Sequence, residues 1–354
     1  MIKISREIFA LTETGDIEDL KKALQHAIEL EHSTIPPYLY AMYSLSGSGS
    51  VANQKIAATI MDIALEEMLH MLLVGNILKA IGSSPQVFSE NFVPNYPSSL
   101  PGSVGSVVVP LKPFSRQVVK DIFMEIEAPE NPLNFEIKEI AFTLEPPKTI
   151  GEFYGRIKKV FEEQGDAIIT DTTGDTQPTS SFPVNMRITS AQKAIDAINV
   201  IVEQGEGTST TPLFPDGDAS PDNDHLAHFY RFAELVYGKI KKNPAPKPGD
   251  PPEKQFIYDS ADPVSFDEQQ VILLPDNPKS AQYAEGSDAR ALSDEFNRTY
   301  TRILKFIHQA FNTNPNRLDN AVNLMPMLSD TVARLMKIDL GNGKKAAPTF
   351  EFLP

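Results

Sequence analysis

From Ala52 to Gly82, apolar residues recur at alternating three- and four-residue steps: Ile56, Ile60, Ile63, Val74, Ile77 and Ile81. That period predicts a long amphipathic helix with one inward face. Two members of the same seam, Glu67 and His70, are polar. An ionised carboxylate inside an aliphatic stripe costs several kcal/mol unless something neutralises it. A second face runs through Leu20, Leu24, Ala27, Thr34 and Tyr38 after a capping Gly15-Asp16, and it too is broken by a carboxylate, Glu31. Pro36 and Pro37 then remove two backbone donors. They predict either a kink about one turn beyond Glu31, or a helix that ends near Thr34 with another starting at Pro37. The Gly47-Ser-Gly-Ser connection makes these two helical stretches antiparallel neighbours. Glu31 lies about sixteen residues before it and Glu67 about eighteen after, so at ~1.5 Å rise per residue both carboxylates come to similar depth.

The pattern changes from Ser83 to Thr149. Val104–Leu111 and Glu136–Leu144 read as short strands or extended segments, and Ser115–Glu127 as a helix, an insertion at about 83–149 lying over a bundle. Helical periodicity returns at Thr149–Glu163, with Ile150, Phe153, Ile157 and Val160 inward, and at Thr189–Gly207, with Ile195, Ile198 and Val202. It returns again at Pro221–Ile240, where His225, His228, Phe232 and Leu235 share a face. Two further seams are apolar throughout: Leu292, Phe296, Tyr300, Ile303, Ile307 and Ala310, then Leu318, Val322, Met325, Leu328, Val332 and Leu335. The chain thus divides into a helical bundle over 1–242, a proline-rich linker over 243–280 and a C-terminal helical hairpin over 281–354. The hairpin either packs on the bundle or serves homo-oligomerisation.

Composition narrows the function classes. The absence of cysteine excludes disulfides, thiolate metal sites, iron–sulfur clusters and thiol nucleophiles. The formal net charge of −15 argues against a nucleic-acid partner. No apolar run reaches membrane-spanning length and the start lacks a signal-peptide pattern, so a cytoplasmic protein without a membrane partner is expected. No glycine-rich phosphate loop or serine-nucleophile motif is present.

What remains is the polar residues on the apolar seams. Glu67 and His70, three apart, leave one helix face side by side, the Glu-x-x-His arrangement with which bundle cores hold carboxylate-bridged metal pairs alongside a lone Glu from another helix. Glu31 supplies that lone Glu. His225 and His228 repeat the spacing near a later helix start. Glu206, between glycines in QGEG, continues the seam of the preceding helix, with Glu203 as its competitor. The candidate metal ligands are therefore Glu31, Glu67, His70, Glu206, His225 and His228, for iron or another divalent ion, one or two per chain. Glu203 and Glu152 rank behind them; Glu152, in a first helical turn, suits the helix dipole. Glu66 falls off the seam and reads as solvated, Glu125 and Glu127 as surface or capping groups, and Arg231 with Glu234 as a surface ion pair. His308 reads as incidental.

The stretches LEHSTIPPYLYAMYS, IALEEMLHMLLVGNILKAIG, FMEIEAPENP, IGEFYGRI, IVEQGEGT and HFYRFAEL, in that order, resemble the ferritin-like domain of the iminophenyl-pyruvate dimer synthase family. The match covers about residues 16–240. The resemblance implies a mainly α, ferritin-like bundle with an inserted loop and short-strand segment, a di-metal carboxylate site, and a small-molecule substrate. It implies oxidative or imine/keto-acid coupling chemistry of secondary metabolite biosynthesis. One position departs from the expected pattern: where a second Glu-x-x-His would have glutamate, this chain has His225. A neutral imidazole there removes a charge and a bridging group, leaving a single ion, an asymmetric pair or a weaker iron site as alternatives. Two other functions stay open: a ferroxidase or iron-binding protein, and a non-catalytic helical interaction protein with a vestigial site.

Overall fold

The structure, a computed structural model, describes residues 2–47, 49–105, 107–129, 149–179, 187–205, 226–242, 257–341 and 343–354. Its centre is an antiparallel pair, α2 (Ile17–Ser46) and α3 (Val51–Ala80), preceded by a short α1 (Arg6–Ala10). Asp16 caps α2 by accepting from the backbone N–H groups of Glu18 and Asp19, and Ser50 caps α3 through Asn53. Between them Gly49 takes a φ of 72°, a conformation that glycine adopts without strain.

Helix α2 is continuous through both prolines, so neither of two separate helices forms. Pro37 cannot donate to the carbonyl of Ser33, and the phenol of Tyr96 donates to that oxygen instead, at 2.7 Å. Tyr96 is buried and comes from the segment that follows α3. The cost of a proline inside a helix, a carbonyl stripped of its donor, is thus offset by a side chain from the insertion.

The insertion is less regular than its sequence pattern. Among its described residues only Ser103–Val104 (β2) pairs, with Lys3–Ile4 (β1), and Val109 makes an isolated bridge to Ser98. Single proline and glycine interruptions in this stretch prevent a longer ladder. The expected helix begins at its Ser115 cap as α4 (Arg116–Val118), widens into a π turn (Val119–Phe123) and ends as α5 (Met124–Ile126). Glu136–Leu144 lies outside the described residues.

Helices α6 (Ile150–Gln164) and α7 (Ala191–Gly205) pack on one another, α6 against α2 and α7 against α3, which completes a four-helix bundle. Helix α8 (His228–Tyr237) lies against α3, α7 and the α4–α5 segment. The strands β3 (Lys239–Lys242) and β4 (Ile257–Pro263) form an antiparallel pair, and the proline-rich stretch between them lies outside the described residues. Residues 264–286 strap the α2–α3 end of the bundle: Asn53 and Asp267 exchange two hydrogen bonds, and Ile272 N–H donates to Ser44.

The C-terminal hairpin, α9 (Asp288–Asn312) and α10 (Arg317–Leu335), packs on the bundle through α9 and α3. Phe311 of α9 sits so close to Gly75 that a Cβ there would lie 2.2 Å from its ring. The missing side chain at Gly75 therefore makes room for that ring, which explains a glycine in mid-helix despite its poor propensity. The last residues fold back, with Phe350 against Phe296 and Tyr300. Among the described residues no helix is long and apolar enough to cross a membrane.

Candidate metal centre

Three seam positions of α2 and α3 meet as expected: Glu31, Glu67 and His70 are 6%, 3% and 1% exposed. Their potential ligand atoms fall within 4.8 Å of one another, with His70 Nδ1 3.5 Å from Glu31 Oε2 and 3.8 Å from Glu67 Oε1. A second group, Glu67, Glu127 and His228, meets the same criterion. Here His228 Nδ1 is 2.8 Å from Glu67 Oε1 and 3.6 Å from Glu127 Oε2. Glu67 belongs to both triads. Each triad thus has one imidazole and one carboxylate of its own and shares Glu67 with the other.

The orientation of each group follows from what holds its other end. Every carboxylate has one oxygen engaged by a hydroxyl: Glu31 by Tyr154 of α6, Glu67 by Thr34 at 3.0 Å, and Glu127 by Tyr38. The remaining oxygen turns to the imidazoles. Tyr38 is itself clamped by Phe123 and Phe232, at ring separations of 4.7 and 5.2 Å. Both histidines present Nδ1 to the centre and Nε2 to an outer acceptor, Gln204 Oε1 at 2.7 Å for His70 and Glu66 Oε2 at 2.6 Å for His228. An acceptor on the distal nitrogen fixes tautomer and ring angle, as metal-bound histidines require. Arg231 in turn holds Glu66 at 2.9 Å.

One atom tests whether these residues suit an ion. His228 Nδ1 is buried and makes no well-aligned hydrogen bond, although two carboxylate oxygens lie close by. Groups that approach each other but aim at a third point behave as ligands of a common ion. Atoms bound at about 2.1 Å to one centre are themselves roughly 3.0–3.5 Å apart, close to the separations seen here. Carboxylate oxygen and imidazole nitrogen together suit iron, manganese or zinc.

Without an ion, protons must balance the charge. Burial raises Glu67 to about 8, helped by the nearby charge of Glu127 and opposed by the contact with His228. Burial would lower His70, but its contacts with Glu31 and Glu67 raise it; His228, against Glu127, Glu66 and Glu67, is raised well above the usual histidine value. Burial would also raise Glu66, yet the hydrogen bond from His228 and the charges of His228 and Arg231 bring it down to about 2.

Several expectations from the sequence change. Glu127 is neither a surface nor a capping group: it is 6% exposed and enters the second triad. A π turn (Val119–Phe123) and a three-residue helix precede it and pack against α8, an irregular stretch that helical periodicity does not foresee. Glu66 is not simply solvated, because α8 crosses beside it and supplies His228 and Arg231. Arg231 and Glu234 are buried, at 7% and 8% exposure, rather than a surface ion pair. Glu152 stays in the first turn of α6, 3.9 Å from Arg156, and belongs to neither triad. Glu203 is half-buried on α7 and in neither triad, while its neighbour Gln204 reaches His70. Glu206 and His225 lie outside the described residues. Gln204 carried no signal in the sequence, since an amide near a helix end is common; FMEIEAPENP contained Glu127 but gave no reason to prefer it.

A family model described as Ferritin-like matches residues 24–237, more than half of the chain. The chain belongs to the ferritin-like family. Among its relatives, dichlorochromopyrrolate synthase of Lentzea aerocolonigenes is 22% identical over 94% of this chain and 36% of its own length. The 2-imino-3-(indol-3-yl)propanoate dimerase of Chromobacterium violaceum is 25% identical over 93% of this chain and 33% of its own. The chain therefore spans about a third of the length of these relatives. The crystal structure of a ferritin-like protein from Caulobacter vibrioides superposes with a TM-score of 0.59 at 19% identity, covering 94% of this chain and 97% of that one. The fold is shared with that protein, and the family resemblance carried by the sequence motifs is borne out by the synthase and the dimerase.

Proposed function

We propose that this protein is a metal-dependent enzyme that couples or oxidises imines or 2-keto acids derived from aromatic amino acids. The observation that carries the reading is the pair of triads joined at Glu67, with each imidazole held from behind by Gln204 or Glu66. The names of the two relatives supply the substrate class. When bound, a divalent ion such as iron supplies Lewis acidity toward an imine or keto acid and oxidising chemistry with dioxygen. Glu31 and His70 would hold one ion, Glu127 and His228 the other, and Glu67 both. Thr34, Tyr38 and Tyr154 keep the three carboxylates from rotating. Glu66 and Arg231 keep the His228 proton on Nε2, so Nδ1 stays available.

The test has two stages. Protein purified without chelator is expected to contain up to two ions per chain, and Glu67→Ala to lose them; equal metal content in both removes the ligand assignment. Wild-type protein supplied with L-tryptophan or L-phenylalanine and an amino-acid oxidase should then give a dimeric product by mass spectrometry that Glu67→Ala does not. Metal without product confines the protein to metal binding.

One observation favours a second reading, ferritin-type iron oxidation and storage. The cavity against Glu31, Glu67, His70 and Glu127 is about 30 Å³, the room of an ion with a water rather than an aromatic acid. Size measurement after loading with ferrous iron separates the two, since storage requires a closed shell of subunits.

A further inference from the structure

The two triads share Glu67 but differ in two respects, each set by a different part of the fold. The first is what stands behind the imidazole. His228 Nε2 meets the carboxylate of Glu66 at 2.6 Å, and Arg231 steadies that carboxylate at 2.9 Å. His70 Nε2 meets the neutral amide of Gln204 at 2.7 Å. With Nδ1 turned to an ion, each Nε2 carries the ring hydrogen and donates it outward. A charged acceptor draws that hydrogen further than an amide does, and the ring becomes the stronger base toward the ion. This contrast favours the position formed by Glu67, Glu127 and His228.

The second is room. The cavity of about 30 Å³ is walled by Glu31, Glu67 and His70, the whole of one triad. Of the other triad, Glu127 and the shared Glu67 reach it, but His228 is not on its wall. Helix α7 lines it with Ile201, Val202 and Gly205, whose side chains offer no ligand atom. Three protein ligands leave a divalent ion at least one position for water or another ligand. The space for that ligand lies beside Glu31 and His70. On the His228 side, Tyr38 holds Glu127 and packs against Phe123 and Phe232. Structural ions sit in closed sites, whereas catalytic ions keep an open position.

We propose that the two positions divide the work: Glu67, Glu127 and His228 fill first and keep a resident ion, while Glu31, Glu67 and His70 hold an exchangeable ion that takes the exogenous ligand. Gln204 is the positioning residue that keeps the second ion weaker. The inference rests on the metal-dependent reading and adds which ion meets the substrate. Cobalt(II) is titrated into the chelator-stripped full chain, followed by calorimetry and visible absorption, with azide added after each equivalent. Two equivalents should bind, the first about tenfold or more tighter than the second, and azide should change the cobalt spectrum only once the second is in place. His70→Ala should keep the tight, azide-silent ion, and His228→Ala should lose it. Gln204→Glu, which gives His70 a charged acceptor, should tighten the second ion about tenfold and leave the first unchanged. Gln204→Ala should weaken the second alone, and it carries the test if Gln204→Glu does not fold. A merely structural role for Gln204 would move both constants together. The proposal is overturned if the two ions bind equally, if a second is never taken up, or if azide responds to the first equivalent. It is equally overturned if folded His70→Ala loses the tight ion, or if the folded Gln204 variants leave the weaker constant unchanged. Each of those results leaves metal binding itself standing; a wild-type chain that takes up no cobalt defeats the metal-dependent reading and this inference with it.

Discussion

Glu66 shows how much a residue's role depends on what crosses it. On α3 alone it leaves the apolar seam, and adjacency to Glu67 gives it no evident part in the site. Once α8 packs beside it, its carboxylate accepts from His228 Nε2 at 2.6 Å and from Arg231 at 2.9 Å, and its own protonation is suppressed to about 2. The consequence is a fixed donor direction for His228 Nδ1. Glu66→Gln keeps the shape and removes the charge, so metal affinity should fall about 10–100-fold while the fold persists. Competition with a chelator of known affinity measures it. An unchanged affinity would mean that backbone packing alone orients His228. Glu67→Ala should lose metal altogether, because it deprives both triads at once.

At the scale of the element, α2 holds together a sequence that ought to break it. The periodic face through Leu20, Leu24, Ala27, Glu31, Thr34 and Tyr38 was legible because burial of that face repeats every turn, and those positions are in fact buried. The continuity past Pro36 and Pro37 was not legible, since it depends on Tyr96, about sixty residues away in the chain. Tyr96→Phe keeps the ring and removes the donor, leaving the Ser33 carbonyl unsatisfied. A loss of about 1–3 kcal/mol is expected in denaturant unfolding, the usual penalty for a buried orphaned polar group. Because Glu31 and Thr34 flank that carbonyl, metal affinity should weaken as well; a stability loss with metal affinity intact would show that the two prolines are insulated from the centre. The same contrast explains Glu127. Glu31, Glu67 and His70 interrupt long apolar periods and so declare themselves, but Glu127 follows a three-residue helix and a π turn, where no period exists to be interrupted.

For the whole molecule, the centre is where separate parts of the chain are tied together: α2, α3, the end of the α4–α5 segment and α8 each supply a side chain that could hold a metal ion. What ties them changes with pH. Glu67, raised from 4.5 to about 8 by burial and then by Glu127, and His70 and His228, raised above 6.5 by their carboxylate neighbours despite burial, all hold protons more firmly folded than unfolded. Such groups contribute stability in full below their unfolded values and lose it as pH rises through the folded ones. Glu66 runs the other way: its contribution is present above 4.5 and lost as pH falls through about 2. Metal-free protein should therefore melt at lower temperature at about pH 8.5 than at about pH 5.5, because deprotonation leaves buried carboxylates without compensation. With an ion bound the slope reverses, since ligands must shed those protons to bind it and affinity grows with pH. Loading at a hundred times the dissociation constant adds about 2.7 kcal/mol, several degrees in melting temperature. Glu67→Gln, neutral at every pH, should reduce the metal-free slope, leaving the share of His70 and His228, and abolish the gain on loading. Parallel melting curves for metal-free and metal-loaded wild type across that range would mean that no ion exchanges with protons at this centre.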